Sequence, residues 1–298
     1  MKPRYFILVL IFNLNFLVLA QNPNDTIPEV TLSKVALINQ TDSYITFPTD
    51  VGNLEPLMFE ANINPSFIIR KRQDSKLMAV LTPQIIIRLY NEDSYPVRTP
   101  SYIPQISFYY LAHQEALNTT FSIFGKLAHH SNGQDGTFFN EDGTINTMSG
   151  NFATNYFELG ALKSAYSSNL KALKVFKSSV EIHPKSWMLE ELKGSFSGVR
   201  WHNSFTAFKI PVGRSSNNNR PHFSLKLEAV LMLDQYNNLD VFDADRINGG
   251  LTFYYHPMFL EDIGLFVQLY HGFDYYNIYF QHQLDVIRFG IMTEILRF

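Results

Sequence analysis

Beyond its first twenty residues the chain is written largely in alternating apolar and polar positions. No apolar repeat of helical period reaches a convincing length. Strand-forming runs occupy 43–48, 56–69, 77–90, 102–113, 119–131, 152–163 and 173–182, then 194–201, 204–212, 222–233, 249–256, 264–276 and 280–296. Merging the two runs that flank Trp201, or dropping 43–48, leaves about twelve strands. Polar clusters punctuate them, among them Lys71-Arg72-Gln73-Asp74, Asn91-Glu92-Asp93-Ser94 and the segments 214–221 and 235–238. Many of these runs are about 10 to 14 residues long, against about 5 to 6 for a typical globular strand, which suits tilted strands that cross a bilayer. In Phe121-Ser122-Ile123-Phe124-Gly125-Lys126-Leu127 the odd positions are apolar or glycine and the even ones mostly polar, so the strand has two faces. The pattern predicts an all-β fold, a transmembrane antiparallel β-barrel of about twelve strands, rather than a soluble barrel.

The first twenty residues follow another rule. Lys2 and Arg4 precede an apolar run from Tyr5 to Leu19 broken by Asn13 and Asn15, and Val18-Leu19-Ala20 places small residues before Gln21. This reads as a secretory signal peptide over 1–20. Residues 21–298 are then expected to form a single barrel domain, because no repeat, linker or composition break divides them.

Composition sharpens this picture. Mean hydropathy is −0.08, and past residue 20 no stretch is apolar enough for a helical span. A barrel with apolar residues towards lipid and polar residues towards its lumen averages to such a value. Loss of Lys2 and Arg4 leaves 22 of the 24 basic residues against 27 acidic ones, which argues against a nucleic-acid partner. The absence of cysteine excludes disulfides, thiolate metal sites and a cysteine nucleophile.

The sharpest local feature is His129-His130-Ser131-Asn132-Gly133, at the end of one run. Alternation puts His129 and Ser131 on the face of Phe121, Ile123, Gly125 and Leu127, with His130 on the other. If that face meets lipid, a histidine and a serine there need a reason. A base and a nucleophile for a lipid substrate supply one. On the following run Asn155 shares a face with Phe157, Leu159 and Ala161, and an antiparallel return can seat it beside His129. An asparagine carbonyl can fix the tautomer of a histidine without placing a charge against hydrocarbon. The remaining histidines lack metal-ligand spacing, and paired tyrosines such as Tyr254-Tyr255 and Tyr275-Tyr276 read as interfacial aromatics.

These residues carry a resemblance. His129-x-Ser131-Asn132-Gly133 followed by Asn155 resembles the active-site pattern of outer membrane phospholipase A, a family of twelve-stranded barrels. Ser94-x-Pro96-x-Arg98, Tyr102-x-Pro104-Gln105 and Val267-Gln268-x-Tyr270-x-Gly272 also look like that family's segments, and the terminal Phe298 looks like its assembly signal. The region 164–245 is matched only as strands. The resemblance implies a calcium-dependent serine esterase of the bacterial outer membrane that cleaves phospholipid acyl esters, active as a homodimer. It makes Ser131 the nucleophile, His129 the base and Asn155 the partner that orients the base. A backbone N–H near Ser131 or Gly133 would serve the oxyanion. The implied calcium ligands are Gln134 through its carbonyl, Asn151, and Ser94 from the partner subunit. Asn151 stands where the family has a serine, with Ser149 near, and the loop before Asn155 is about twice the family's usual length. Asp135, Glu141 and Asp142 in that loop are then either solvated acids or part of a rebuilt calcium site. The competing readings are a lipid A deacylase and a non-enzymatic pore or structural barrel.

Overall fold

The computed structural model describes residues 29–115, 118–211, 221–234, 236–240, 243–257, 259–260 and 263–293; the proposed signal peptide and the terminal Phe298 lie outside them. A short helix α1 (Leu32–Asn39) comes first, followed by strands β1 (Tyr44–Thr46), β2 (Val51–Gly52), β3 (Leu57–Ile63), β4 (Phe67–Ile69), β5 (Leu77–Tyr90), β6 (Ser101–Glu115) and β7 (Thr119–Ser131). Then come β8 (Ala153–Ser167), β9 (Ala172–Ile182), β10 (Val199–Pro211), β11 (His222–Met232), β12 (Ile247–His256), β13 (Ile263–Phe273) and β14 (Gln283–Thr293). Every neighbouring pair is antiparallel, and β1 bonds both β3 and β14, which closes the sheet into a ring. Among the described residues twelve of the fourteen strands form that ring, while β2 caps β14 and β4 lies alongside β5. Among the described residues each of the twelve ring strands is paired on both sides.

The expected two faces are present. Along β5 Met78, Val80, Thr82, Gln84, Ile86, Arg88 and Tyr90 are buried inside the ring, while Leu77 and Leu81 are exposed outside. Exposed Leu, Ile, Phe and Val side chains recur on the outer face of strand after strand, a surface suited to hydrocarbon rather than water. The lumen is packed with paired charges. Glu60 of β3 binds Arg88 of β5 at 2.7 Å and Arg288 of β14 at 2.9 Å, and Arg88 forks onto Asp274 at 2.6 and 2.8 Å. Further round, Lys126 and Lys177 both grip Glu158, at 2.7 and 2.8 Å. These groups leave a lumenal cavity of about 410 Å³.

Several boundaries move from the sequence expectation. The runs at 194–201 and 204–212 become the single strand β10, and 183–198 is a connection carrying two short 3₁₀ turns (Lys185–Trp187 and Glu190–Leu192). The run at 56–69 breaks into β3 and β4 at Asn64-Pro65-Ser66, where Pro65 has no N–H for a ladder. Tyr276, with Ile278 and Tyr279, turns inward and is buried over the lumen, and Tyr254 is also buried, whereas Tyr255 alone of these tyrosines faces out.

The pattern does not predict helix α1. Thr31 caps it, its oxygen accepting from Lys34 N at 3.4 Å. Val35 and Ala36 are fully buried against Met78, Val80, Tyr109 and Leu173, so the helix stoppers one mouth of the ring. Asn39 and Gln40 donate to Tyr109 Oη at 2.8 and 3.0 Å. A carboxylate at Val35 would have to be buried unpaired in that cluster, so the helix should leave the mouth. Val35→Asp is therefore expected to raise ion conductance in planar bilayers above that of the unaltered chain.

Candidate active site on the outer face of the barrel

The strand register sets this site. His129 of β7 stands directly opposite Asn155 of β8, and Ser131 opposite Ala153. Both histidine and serine are half-buried and share the outer face with exposed Phe121, Ile123 and Leu127, as alternation requires. His129 Nδ1 and Asn155 Oδ1 are 2.9 Å apart. Asn155 Nδ2 donates to the carbonyl of Trp187 at 3.1 Å, which leaves Oδ1 to face the histidine. Nδ1 is therefore the protonated ring nitrogen, and Nε2 is the acceptor. Ser131 lies two residues further along the same strand, about 6.6 Å in backbone rise. No hydrogen bond among the described residues joins it to His129, so the pair needs a side-chain rotation to meet; such looseness is common without substrate. His130 points into the lumen, its Nε2 3.1 Å from Ser101 Oγ.

Two prolines shape the surroundings. Pro83 and Pro104 face each other across β5 and β6. Pro104 cannot donate to β7, and the β6–β7 pairing skips Ile103 and Pro104 between Tyr102↔Ser131 and Gln105↔Ala128, alongside His129, with the register unchanged on either side. An outer groove of about 510 Å³ runs here, lined by Leu81, Pro104, Ile106, Leu127, His129, Asn155 and Trp187 among others. Its walls are apolar, and its polar groups are chiefly the His–Asn pair.

Beyond Ser131 the chain turns sharply. Gly133 has φ +67°, and a Cβ there would meet the Tyr102 ring at 3.2 Å, so this turn requires glycine. Among the described residues no hydrogen bond engages the Gly133 N–H. The long loop folds back on its own base. Asn132 Oδ1 accepts from Phe152 N at 3.0 Å and Gln134 N at 3.2 Å, Asn132 Nδ2 donates to Gly150 O at 2.7 Å, and Asn151 N donates to Gly136 O at 3.1 Å. Gln134 and Asn151 are thereby brought to the same loop base. Ser94 sits on the exposed β5–β6 turn at the same end of the barrel, with φ +68°, and no hydrogen bond among the described residues joins it to either.

The loop acids do not converge. Asp142 Oδ1 accepts from Thr144 Oγ1 at 2.6 Å and Thr144 N at 2.9 Å, bonds that hold its carboxyl below the usual aspartate range while tying it to its own turn. Among the described residues no three His, Asp or Glu side chains gather to hold a metal. What the loop base does offer is neutral oxygen, the donor chemistry of a hard cation such as calcium. Within one chain that set is short of ligands.

The connection 183–198 is the part of the site that the sequence pattern misses. Pro184 and Gly194 mark a loop in the sequence, but nothing in the pattern brings Trp187 to Asn155.

No family model matches this chain, and no curated protein does. Solved structures do. Outer membrane phospholipase A from Escherichia coli superposes with a TM-score of 0.52 at 12% identity, covering 86% of this chain and 91% of that one. An active-site mutant of the E. coli protein gives 0.50 at 12%, over 93% and 95%. The Salmonella typhi outer membrane phospholipase, a dimer with bound calcium, gives 0.51 at 12%, over 93% and 96%. Likeness at this identity speaks for the fold: this chain has the barrel of outer membrane phospholipase A.

Proposed function

We propose that this chain is a bacterial outer-membrane phospholipase A, hydrolysing acyl ester bonds of phospholipids with calcium, as a homodimer. The observation that carries this reading is the 2.9 Å His129–Asn155 bond on an apolar outer face, two residues along β7 from Ser131 and open to a groove. A polar pair there is costly against hydrocarbon and has a use only if its substrate arrives through lipid. The lumen, crowded by Glu60, Arg88, Arg288, Lys126, Glu158 and Lys177, speaks against a water-filled pore.

In this reading Ser131 Oγ attacks the ester carbonyl carbon while His129 Nε2 takes the hydroxyl proton. Asn155 Oδ1 holds the opposite ring nitrogen and steadies the imidazolium. The Gly133 N–H stands ready to donate to the oxyanion. Collapse of the adduct expels the glyceryl alkoxide, which receives the proton from His129, and the acyl group stays on Ser131. Water, deprotonated by the same nitrogen, then releases the fatty acid. The Gln134 carbonyl and Asn151 would hold calcium, with the partner subunit's Ser94 completing the set; the bound ion supplies positive charge near the oxyanion.

Refolded protein should release fatty acid from dispersed phospholipid with calcium present and lose that activity in chelator. Crosslinking should trap a dimer that calcium promotes. Turnover that persists in chelator would remove the ion from the mechanism. Asn151→Ala should raise the calcium concentration needed for half-maximal rate, with little change at saturating calcium.

A further inference from the structure

The connection 183–198 lies along the start of β8 and is fastened there from both sides of the sheet. Inside the barrel Thr154 Oγ1 and His183 Nδ1 are 2.9 Å apart. In the sheet plane Leu189 N donates to Ala153 O at 3.1 Å, and Thr154 bridges to Met188. Outside, between these anchors, the Trp187 carbonyl receives Asn155 Nδ2 at 3.1 Å. The consequence for Asn155 is directional. A side-chain amide has one acceptor and one donor end, and a flipped Asn155 would set two oxygens against each other. The carbonyl therefore dictates that Oδ1 faces His129. Trp187 is 45% exposed and lines the groove together with His129 and Asn155.

We infer that Trp187 is both a positioning and a specificity-determining residue: its carbonyl orients Asn155, and its indole packs against the acyl chain of the lipid bound in the groove. This rests on the phospholipase reading of Ser131, and the test separates the two. The two functions also have different sensitivities. A side-chain change at Trp187 keeps the carbonyl and alters only the wall, so it should affect long-chain substrates more than short ones. Exchange of Asn155 for aspartate sets a carboxylate against the carbonyl and should affect all chain lengths alike.

The chain carries two tryptophans, and Trp201 lies on β10, two strands along the ring from β8. In a Trp201→Phe background with calcium, the protein would be treated with a p-nitrophenyl phosphonate bearing either a short alkyl chain or a long dibrominated one. Ser131 Oγ forms a bond to phosphorus, nitrophenolate leaves, and the serine proton passes to His129; intact mass reads the label. The expected result is labelling by both probes, with Trp187 fluorescence strongly quenched by the brominated chain alone. Trp187→Ala should slow labelling by the long-chain probe about tenfold relative to the short one, and Asn155→Asp should slow both equally. Labelling without quenching, or equal slowing of both probes by Trp187→Ala, would overturn the role of the indole. An Asn155→Asp protein that labels as fast as its parent would overturn the role of the carbonyl. Absence of label on Ser131 would instead reject the phospholipase reading, and this inference with it.

Discussion

Replacing Ser131 with alanine is expected to lower phospholipid hydrolysis about a thousandfold or more, to the level left by binding and the oxyanion donor alone. The fold should not register the change. Ser131 is half-buried on the outer face, paired with Tyr102 and Ala153, and an alanine fits that strand as well. His129→Ala should approach the same loss, because without a base the hydroxyl is a poor nucleophile. Asn155→Ala should cost less, about ten- to a hundredfold, since a neutral carbonyl gives the imidazolium orientation but no charge. Fatty-acid release at saturating calcium measures all three. A Ser131→Ala protein that retained the parental rate would remove the nucleophile from this account.

Glu60→Ala is expected to be the most damaging single change to stability, about 3 to 5 kcal/mol. Glu60 of β3 is fully buried and takes bonds from Arg88, Arg288, Tyr44 and Tyr275, four groups that come from β5, β14, β1 and the turn before β14. That is the seam where the ring closes. Its removal leaves Arg88 with Asp274, while among the described residues Arg288 keeps Asp50 alone as a carboxylate partner, at 3.2 Å. The loss comes mainly from the stranded charge, so the double change Glu60→Ala, Arg288→Met should recover part of it. Equilibrium unfolding in urea after refolding into vesicles gives the comparison. Equal instability of the single and double variants would mean that packing, not charge, carries the seam.

The seam illustrates what could not be read along the chain. Glu60, Arg88, Asp274 and Arg288 are spread over more than two hundred positions, and nothing local marks them as one cluster. Helix α1 is a similar case. Eight residues are too few for a strong periodic signal, and its stability comes from packing against β5, β6 and β9 rather than from propensity. Trp187 is equally illegible, because its contribution passes partly through a backbone carbonyl, which carries no residue signature.

Alternation, by contrast, is a property of the backbone itself. Side chains on a strand fall on opposite faces whatever lies beyond it, so the sequence alone determined that His129 and Ser131 share the face of Leu127 and oppose His130. It likewise determined an all-β barrel of about twelve strands, because long two-faced runs have few other ways to satisfy their backbone groups. Tertiary structure decided the rest. The register of β7 against β8 brought Asn155 to 2.9 Å from His129, and a shift of one residue would have turned it into the lumen. Ring closure assembled the Glu60 cluster, and the folding-over of 183–198 set the direction of the Asn155 amide. Faces follow from local geometry, whereas pairings are fixed only by contacts between residues far apart in the chain.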